Sequence, residues 1–191
     1  MIKIVYIKET KEKNVLSLGI SEGEEVSRFV LDASFVTELG LFVGEIDECS
    51  YAKIKKRDLY VKGKRKALSL LAFSDNSKRT LTIKLLRFGL DRAMAEGIVD
   101  EMCDLGYINE DAQLSRMIER LANGQLIGPK KIVARLASKG YSPSDVKRAM
   151  RAMMEAGEID FSKNKKLLLE KYSVTEGDTE GENKILYKNG Y

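Results

Sequence analysis

Apolar positions along this chain recur in short helical groups that close on glycine. Leu85, Leu136 and Leu186 each precede a glycine by four residues, and those glycines, Gly89, Gly140 and Gly190, lie 51 and 50 residues apart. The clearest copy is residues 132–140, I-V-A-R-L-A-S-K-G, followed by Tyr141; residues 84–90 and 185–191 repeat its outline. A near-constant period of this length is the signature of tandem units that cannot bury their apolar faces alone.

The first 60 residues do not share the period. Ile2, Ile4 and Tyr6 alternate with Lys3 and Val5, as in a half-buried strand. Residues 15–20 and 26–31 give two further strands across polar turns, and Asp32 is placed to cap a short helix over 33–39 that Gly40 stops. Residues 41–46 read as a tight connection. From 47 to 73 the pattern is helical and strongly basic, with Lys53, Lys55, Lys56, Arg57, Lys62, Lys64, Arg65 and Lys66 set against Asp58, and with Gly63 as a candidate break. That stretch reads equally as a solvated connecting helix or as a phosphate-binding surface.

Within the first repeat, Ala67, Leu68 and Leu71 form a stripe, residues 74–77 form a capping turn, and Leu81 and Leu85 face inward on a second helix. Asp91 caps a third helix whose Met94, Ile98, Met102 and Leu105 share one face. The second repeat has Asn109 as a cap and Leu114, Met117, Ile118 and Leu121 as its first stripe, ended by Asn123 and Gly124. Pro129 starts its next helix, with Ile132, Val133 and Leu136 inward. Ser142 and Pro143 open the last helix, with Val146, Ala149, Met150 and Met153 inward. A third repeat has helices over 164–172 and 182–189 joined by an acidic, mobile loop over 173–182, and it stops before a third helix. The expected fold is mainly α: tandem three-helix repeats, the third incomplete, behind a small β-rich N-terminal segment. The expected division is 1–60, 61–106, 107–157 and 158–191.

Composition narrows the chemistry. The chain has no His, which removes His-based acid–base catalysis and the commonest metal ligand. Cys49 and Cys103 have no metal or redox spacing, no Gly-rich phosphate loop is present, and no apolar run approaches a membrane span. A non-enzymatic, soluble cytoplasmic protein without cofactor or metal is expected. Net charge is +4, but residues 1–48 carry ten acids and five bases while the remainder carries 28 bases and 19 acids. A basic body behind an acidic head points to an anionic partner. The candidate contact residues are Lys78, Arg79, Lys84 and Arg87 in the first repeat, and Arg116, Arg120, Lys130, Lys131, Arg135 and Lys139 in the second. Lys131, Arg135 and Lys139 fall at i, i+4 and i+8, on one face of a helix opposite its apolar stripe. Any amphipathic helix has a charged back, but residues 130–144 contain no acid at all. Tyr107, Tyr141 and Tyr191 follow helix-ending glycines, where packing back on the helix outweighs base stacking.

The order of Lys66-Ala67-Leu68-Ser69-Leu70-Leu71-Ala72-Phe73, Ser77 and Leu81, then Gly106-Tyr107-Ile108-Asn109-Glu110-Asp111, then Gly128, Ile132, Leu136, Lys139 and Gly140 resembles the RecX regulatory proteins. The resemblance runs over about 64–156 and more weakly to the end. It implies tandem three-helix repeats and a modulator that lies in the groove of the RecA–DNA filament and inhibits RecA ATPase and strand exchange, some members also binding single- or double-stranded DNA. The chain departs from the pattern at residues 74–77, where arginines usual near the serine are replaced by Asp75 and Asn76, with Lys78 and Arg79 next in line. The alternative is an independent DNA-binding transcriptional regulator of helix-turn-helix type. Against it, no dimerisation element and no Asn/Gln/Arg cluster opens a recognition helix, so a monomer is expected.

Overall fold

The computed structural model describes residues 1–174 and 178–191. It forms two compact units, Met1–Phe73 with Thr82–Glu101, and Ser74–Leu81 with Met102–Tyr191. The fold is mainly α with a small N-terminal antiparallel sheet.

In the first unit, strands β1 (Ile2–Glu9), β2 (Val15–Glu22), β3 (Glu25–Asp32) and β4 (Gly44–Ile46) make an antiparallel sheet in the order β3-β2-β1-β4. Gly23, at φ +70°, opens the tight β2–β3 turn, which requires a positive φ that side chains resist. The β1–β2 register shifts between Ile4 and Tyr6, and Val5 is exposed there. One sheet face buries Ile4, Leu18, Ile20, Phe29 and Leu31 against Val36, Tyr51 and Ile54. Each such aliphatic burial is worth about 1.5–3 kcal/mol.

Three local expectations are corrected here. The connection expected over 41–46 contains β4, a three-residue strand too short for an alternating pattern to announce. Asp32 precedes the helix α1 (Ala33–Glu38) in an extended conformation but does not cap it. Its carboxylate is taken instead by Arg57, whose Nε and Nη2 lie 2.6 and 2.5 Å from Oδ2. Gly63 does not break the helix α2, which runs from Glu48 to Phe73. It is buried, and a β-carbon there would come within 2.7 Å of Leu90 Cδ1 and 3.0 Å of Ile98 Cδ1. A glycine in mid-helix is thus explained by close approach to apolar neighbours rather than by termination.

Helices α3 (Lys78–Arg87) and α4 (Arg92–Asp104) follow α2. Asp91 caps α4 by accepting from the Met94 amide at 2.7 Å. Met94, Ile98 and Met102 are buried, but Leu105, expected on the same stripe, lies one residue beyond the helix and is 57% exposed.

The second unit holds α5 (Glu110–Glu119), continued by a π turn (Arg120–Gly124), then α6 (Pro129–Ser138) and α7 (Pro143–Glu155), and finally the pair α8 (Phe161–Lys171) and α9 (Thr179–Asn189). The order therefore repeats three helices twice, with a two-helix set after them. Leu114, Ile118, Leu121, Ile132, Leu136, Val146, Met150 and Met153 meet in one core. Asn109 and Asp160 cap α5 and α8 through their side chains. Ser142 sits at the start of α7 without capping it, its hydroxyl being 2.6 Å from that of Ser144. The acidic loop expected over 173–182 is shorter than its sequence suggested, since α9 begins at Thr179; residues 175–177 of it lie outside the described residues.

Candidate anion-binding face

Helix α6 is two-sided. Ile132 and Leu136 are fully buried, and Lys131, Arg135 and Lys139 form the row on the other side. The structure divides that row by task. Lys131 Nζ donates to the carbonyl of Lys188 at 2.9 Å, and Lys130 Nζ lies 3.3 Å from the Tyr191 carbonyl oxygen. Both lysines are therefore occupied with the end of α9. Arg135 and Lys139, one and two turns further on, line a different cavity together with Arg120 of the π turn.

That cavity measures about 220 Å³ and is completed by Gln125, Ser138 and the apolar side chains of Met117, Leu121 and Leu136. No carboxylate lines it. Arg135 Nη1 donates to Gln125 Oε1 at 2.9 Å, which orients the guanidinium without neutralising it. Arg120, the first residue of the π turn, reaches the same place from the end of α5. Three cations around an apolar floor suit a phosphate or carboxylate oxygen, with guanidinium and ammonium donors making charge-assisted hydrogen bonds.

The remaining candidates are dispersed. Arg116 pairs with Asp75, Nη2 to Oδ2 3.3 Å. The Lys78 amide donates to Glu110 Oε1 at 2.8 Å, and Lys78 borders a polar cavity that also contains Asp111 and Asp145. An anion would meet carboxylates there, so Lys78 and Arg116 do not extend the acid-free site. Arg79 is exposed near the start of α3. In the first unit, Lys84 and Arg87 border a separate cavity of about 360 Å³ with Lys66, Leu70 and Phe88. Gln125 and Ser138 are not legible in the sequence: neither lies on a periodic stripe, and only the folded backbone brings them beside the others, whereas Lys66 belongs to the basic run over 53–66.

Tyrosine is the residue with the strongest electrostatic perturbation. Tyr141 is buried and donates to Gln113 Oε1 at 2.7 Å; burial, reinforced by the charges of Asp75 and Glu110, pushes its phenol up to about 12. In the first unit Tyr60 donates to Glu101 Oε2 at 2.7 Å and is also pushed up to about 12, by burial first and then by that carboxylate. For Glu101, burial acts upward, but hydrogen bonds from Lys64 and Tyr60 outweigh it and hold the carboxyl below its usual value. Each phenol is thus held by a hydrogen bond to a neighbouring side chain. Tyr107 is exposed and Tyr141 packs into the core behind Gly140. Among the described residues no group of three or more His, Cys, Asp or Glu is placed to hold a metal ion. None of the described helices is long and apolar enough to cross a membrane.

No family model matches the chain. It is 25% identical over 116 residues to the regulatory protein RecX of Clostridioides difficile, a match covering 61% of this chain and 54% of that protein. It is 28% identical over 116 residues to the regulatory protein RecX of Xanthomonas axonopodis pv. citri, covering 61% of this chain and 68% of that one. The matched segment thus spans about half the length of the first of these relatives. A crystal structure of regulatory protein RecX superimposes with a TM-score of 0.72 over 100% of this chain and 95% of the other, at 21% identity, which shows a common fold. Sequence relatives and shared architecture together support a RecX family protein.

Proposed function

We propose that this protein is a non-catalytic regulator that binds the RecA–DNA filament and inhibits RecA ATP hydrolysis and recombination in DNA repair. The observation that carries the reading is the convergence of Arg120, Arg135 and Lys139 on one acid-free cavity, in a chain whose relatives are regulatory RecX proteins. A nucleoprotein filament offers both phosphates and acidic protein side chains, and a compact set of cations beside apolar atoms serves either. The protein acts as a monomer in the cytoplasm, and DNA phosphates are among its contacts.

The test is ATP hydrolysis by RecA on single-stranded DNA with increasing amounts of this protein. Hydrolysis falls as the protein is added; an unchanged rate at stoichiometric amounts overturns the reading. A parallel measurement on DNA without RecA separates the two partners. Retention that weakens with salt marks a direct phosphate contact. A sequence-specific footprint without RecA supports the independent transcriptional regulator instead.

A further inference from the structure

The first unit contains a pocket that the reading above does not use. Lys53, Lys56, Arg57 and Tyr60 lie at i, i+3, i+4 and i+7 on α2 and therefore share one helical face. They border a cavity of about 420 Å³ whose apolar lining comes from Phe35 of α1 and from Ala93 and Met94 of α4. This volume lies within the range of pockets that enclose a small ligand or an anchoring side chain.

The charges around it are not equivalent. Arg57 is committed to Asp32, and its guanidinium also lies 5.5 Å from the Phe35 ring centroid and 4.8 Å from that of Tyr60. The carboxylate of Asp91 is committed to the Met94 amide. Lys53 and Lys56 are exposed, and their side chains make no ion pair or hydrogen bond among the described residues. The pocket thus has an apolar interior, an arginine fixed by its pair with Asp32, and two uncommitted cations at its edge.

We propose that this pocket receives an acidic segment of a protein partner, with one apolar side chain seated against Phe35, Ala93 and Met94 and flanking carboxylates on Lys53 and Lys56. Charge complementarity selects the sign of the partner, and the thioether and aromatic lining selects an apolar anchor. The arrangement favours a peptide over single-stranded nucleic acid. Stacking platforms for bases need open ring faces along a continuous cationic track. Here Arg57 covers one face of both rings, and the carboxylates of Asp32 and Asp91 interrupt the track.

The experiment is a fluorescence anisotropy titration of the full chain with a short labelled peptide of Asp and Glu around a single Phe. Saturable binding is expected. It weakens by at least about tenfold in the double variant Lys53→Glu, Lys56→Glu, which inverts the charge at the edge. It also weakens in Ala93→Glu, which puts a carboxylate among the apolar atoms at an exposed position in the first turn of α4, where an acid does not disturb the helix. Circular dichroism confirms that both variants are folded. Binding persists in Lys147→Glu, an exposed residue of α7 that borders neither this pocket nor the α6 cavity. Equal affinity for a peptide with Ala in place of Phe overturns the proposal, as does indifference to the Lys53 and Lys56 reversal. Displacement of the peptide by oligothymidylate at lower concentration than by unlabelled peptide also overturns it, and assigns the pocket to nucleic acid. The site shares no residue with the α6 cavity, so peptide binding and RecA inhibition fail or succeed separately.

Discussion

The carboxylate of Asp58, in the middle of α2, accepts a hydrogen bond from the backbone amide of Val30 on β3 at 2.7 Å. Strand β3 is an edge of the sheet, and an edge with open backbone donors is a template for pairing with other chains. Asp58 occupies one of those donors from the helix, and its other oxygen receives Lys62 Nζ at 2.7 Å. A single acid within a long basic run is thereby explained: it satisfies a buried amide and a neighbouring cation together.

Removing it leaves a buried donor unpaired. Asp58→Ala is expected to lower unfolding free energy by about 1–3 kcal/mol, the cost of an orphaned buried polar group. Asp58→Asn, whose side-chain oxygen still accepts from Val30, loses less. Urea unfolding of the three proteins checks the order, and equal midpoints for Asp58→Ala and the parent chain would show that the bond contributes nothing.

A second relation of this kind joins the ends of α6 and α9. The Gly128 amide donates to the Asn189 carbonyl at 2.8 Å, and the Lys130 amide donates to the Gly190 carbonyl at 3.1 Å. The carbonyls ending one helix thus satisfy amides at the start of the other, where no partner exists within the helix. The contact is backbone to backbone: a β-carbon on residue 128 would stand 2.5 Å from the Gly190 carbonyl carbon. Gly128→Ala has an allowed φ of −74° but no room, so the two helix ends must separate. The expected loss is about 1–3 kcal/mol, typical of overpacking. Amide exchange at residues 128 and 130 accelerates if this is right, and protection equal to that of the parent chain contradicts it.

Much of the fold is legible in the residue order, and the illegible parts have one cause. The caps Asp91 and Asn109, the glycine at positive φ behind α6, and the stripes through Ile98, Ile118 and Leu136 follow from local rules, and each is found as expected. Asp32, Gly63 and Lys131 were assigned local tasks by those same rules, and all three serve distant residues: Arg57, the pair Leu90 and Ile98, and Lys188. A periodic pattern ranks positions by face and says nothing about which long side chain crosses to another element. The candidate site illustrates the same limit. Helical spacing placed Arg135 and Lys139 together, but only folding adds Arg120 and withdraws Lys131.

Two phenols, Tyr60 and Tyr141, link folding to pH at the alkaline end. Tyr60 and Tyr141 have folded values of about 12, above the ordinary 10.0, so the folded protein holds those protons more tightly than the unfolded chain. Their contribution is complete below pH 10 and is lost as pH rises from there towards about 12. Unfolding monitored between those limits is expected to steepen with pH, and Tyr141→Phe flattens the slope while leaving Gln113 Oε1 without its partner. Tyrosinate absorbance supplies the check: of the eight tyrosines, Tyr60 and Tyr141 ionise late, with Tyr51 and Tyr191 also displaced upward by burial, and the late phase accompanies loss of helical signal. Ionisation of all eight near the ordinary value would remove the basis for this prediction.

The division of labour along α6 gives the sharpest test of the proposed function. Reversing Lys131 disturbs the α9 contact, so any loss of partner binding in that variant confounds two effects. Arg135→Glu with Lys139→Glu alters only the cavity edge, since Arg135 is hydrogen-bonded to Gln125 rather than to a carboxylate and Lys139 is exposed. This pair is expected to raise the concentration needed to inhibit RecA ATP hydrolysis by about tenfold or more, as for loss of charge-assisted contacts at a complementary surface. Arg120→Glu produces a similar shift, because it enters the same cavity from the π turn. Arg116→Glu is the internal control: its charge is already paired with Asp75, and it stands outside the cavity. Thermal unfolding midpoints close to the parent value keep the comparison at the level of binding. If Arg116→Glu weakens inhibition as much as the Arg135 and Lys139 reversal does, net charge alone explains the effect and the cavity has no privileged role.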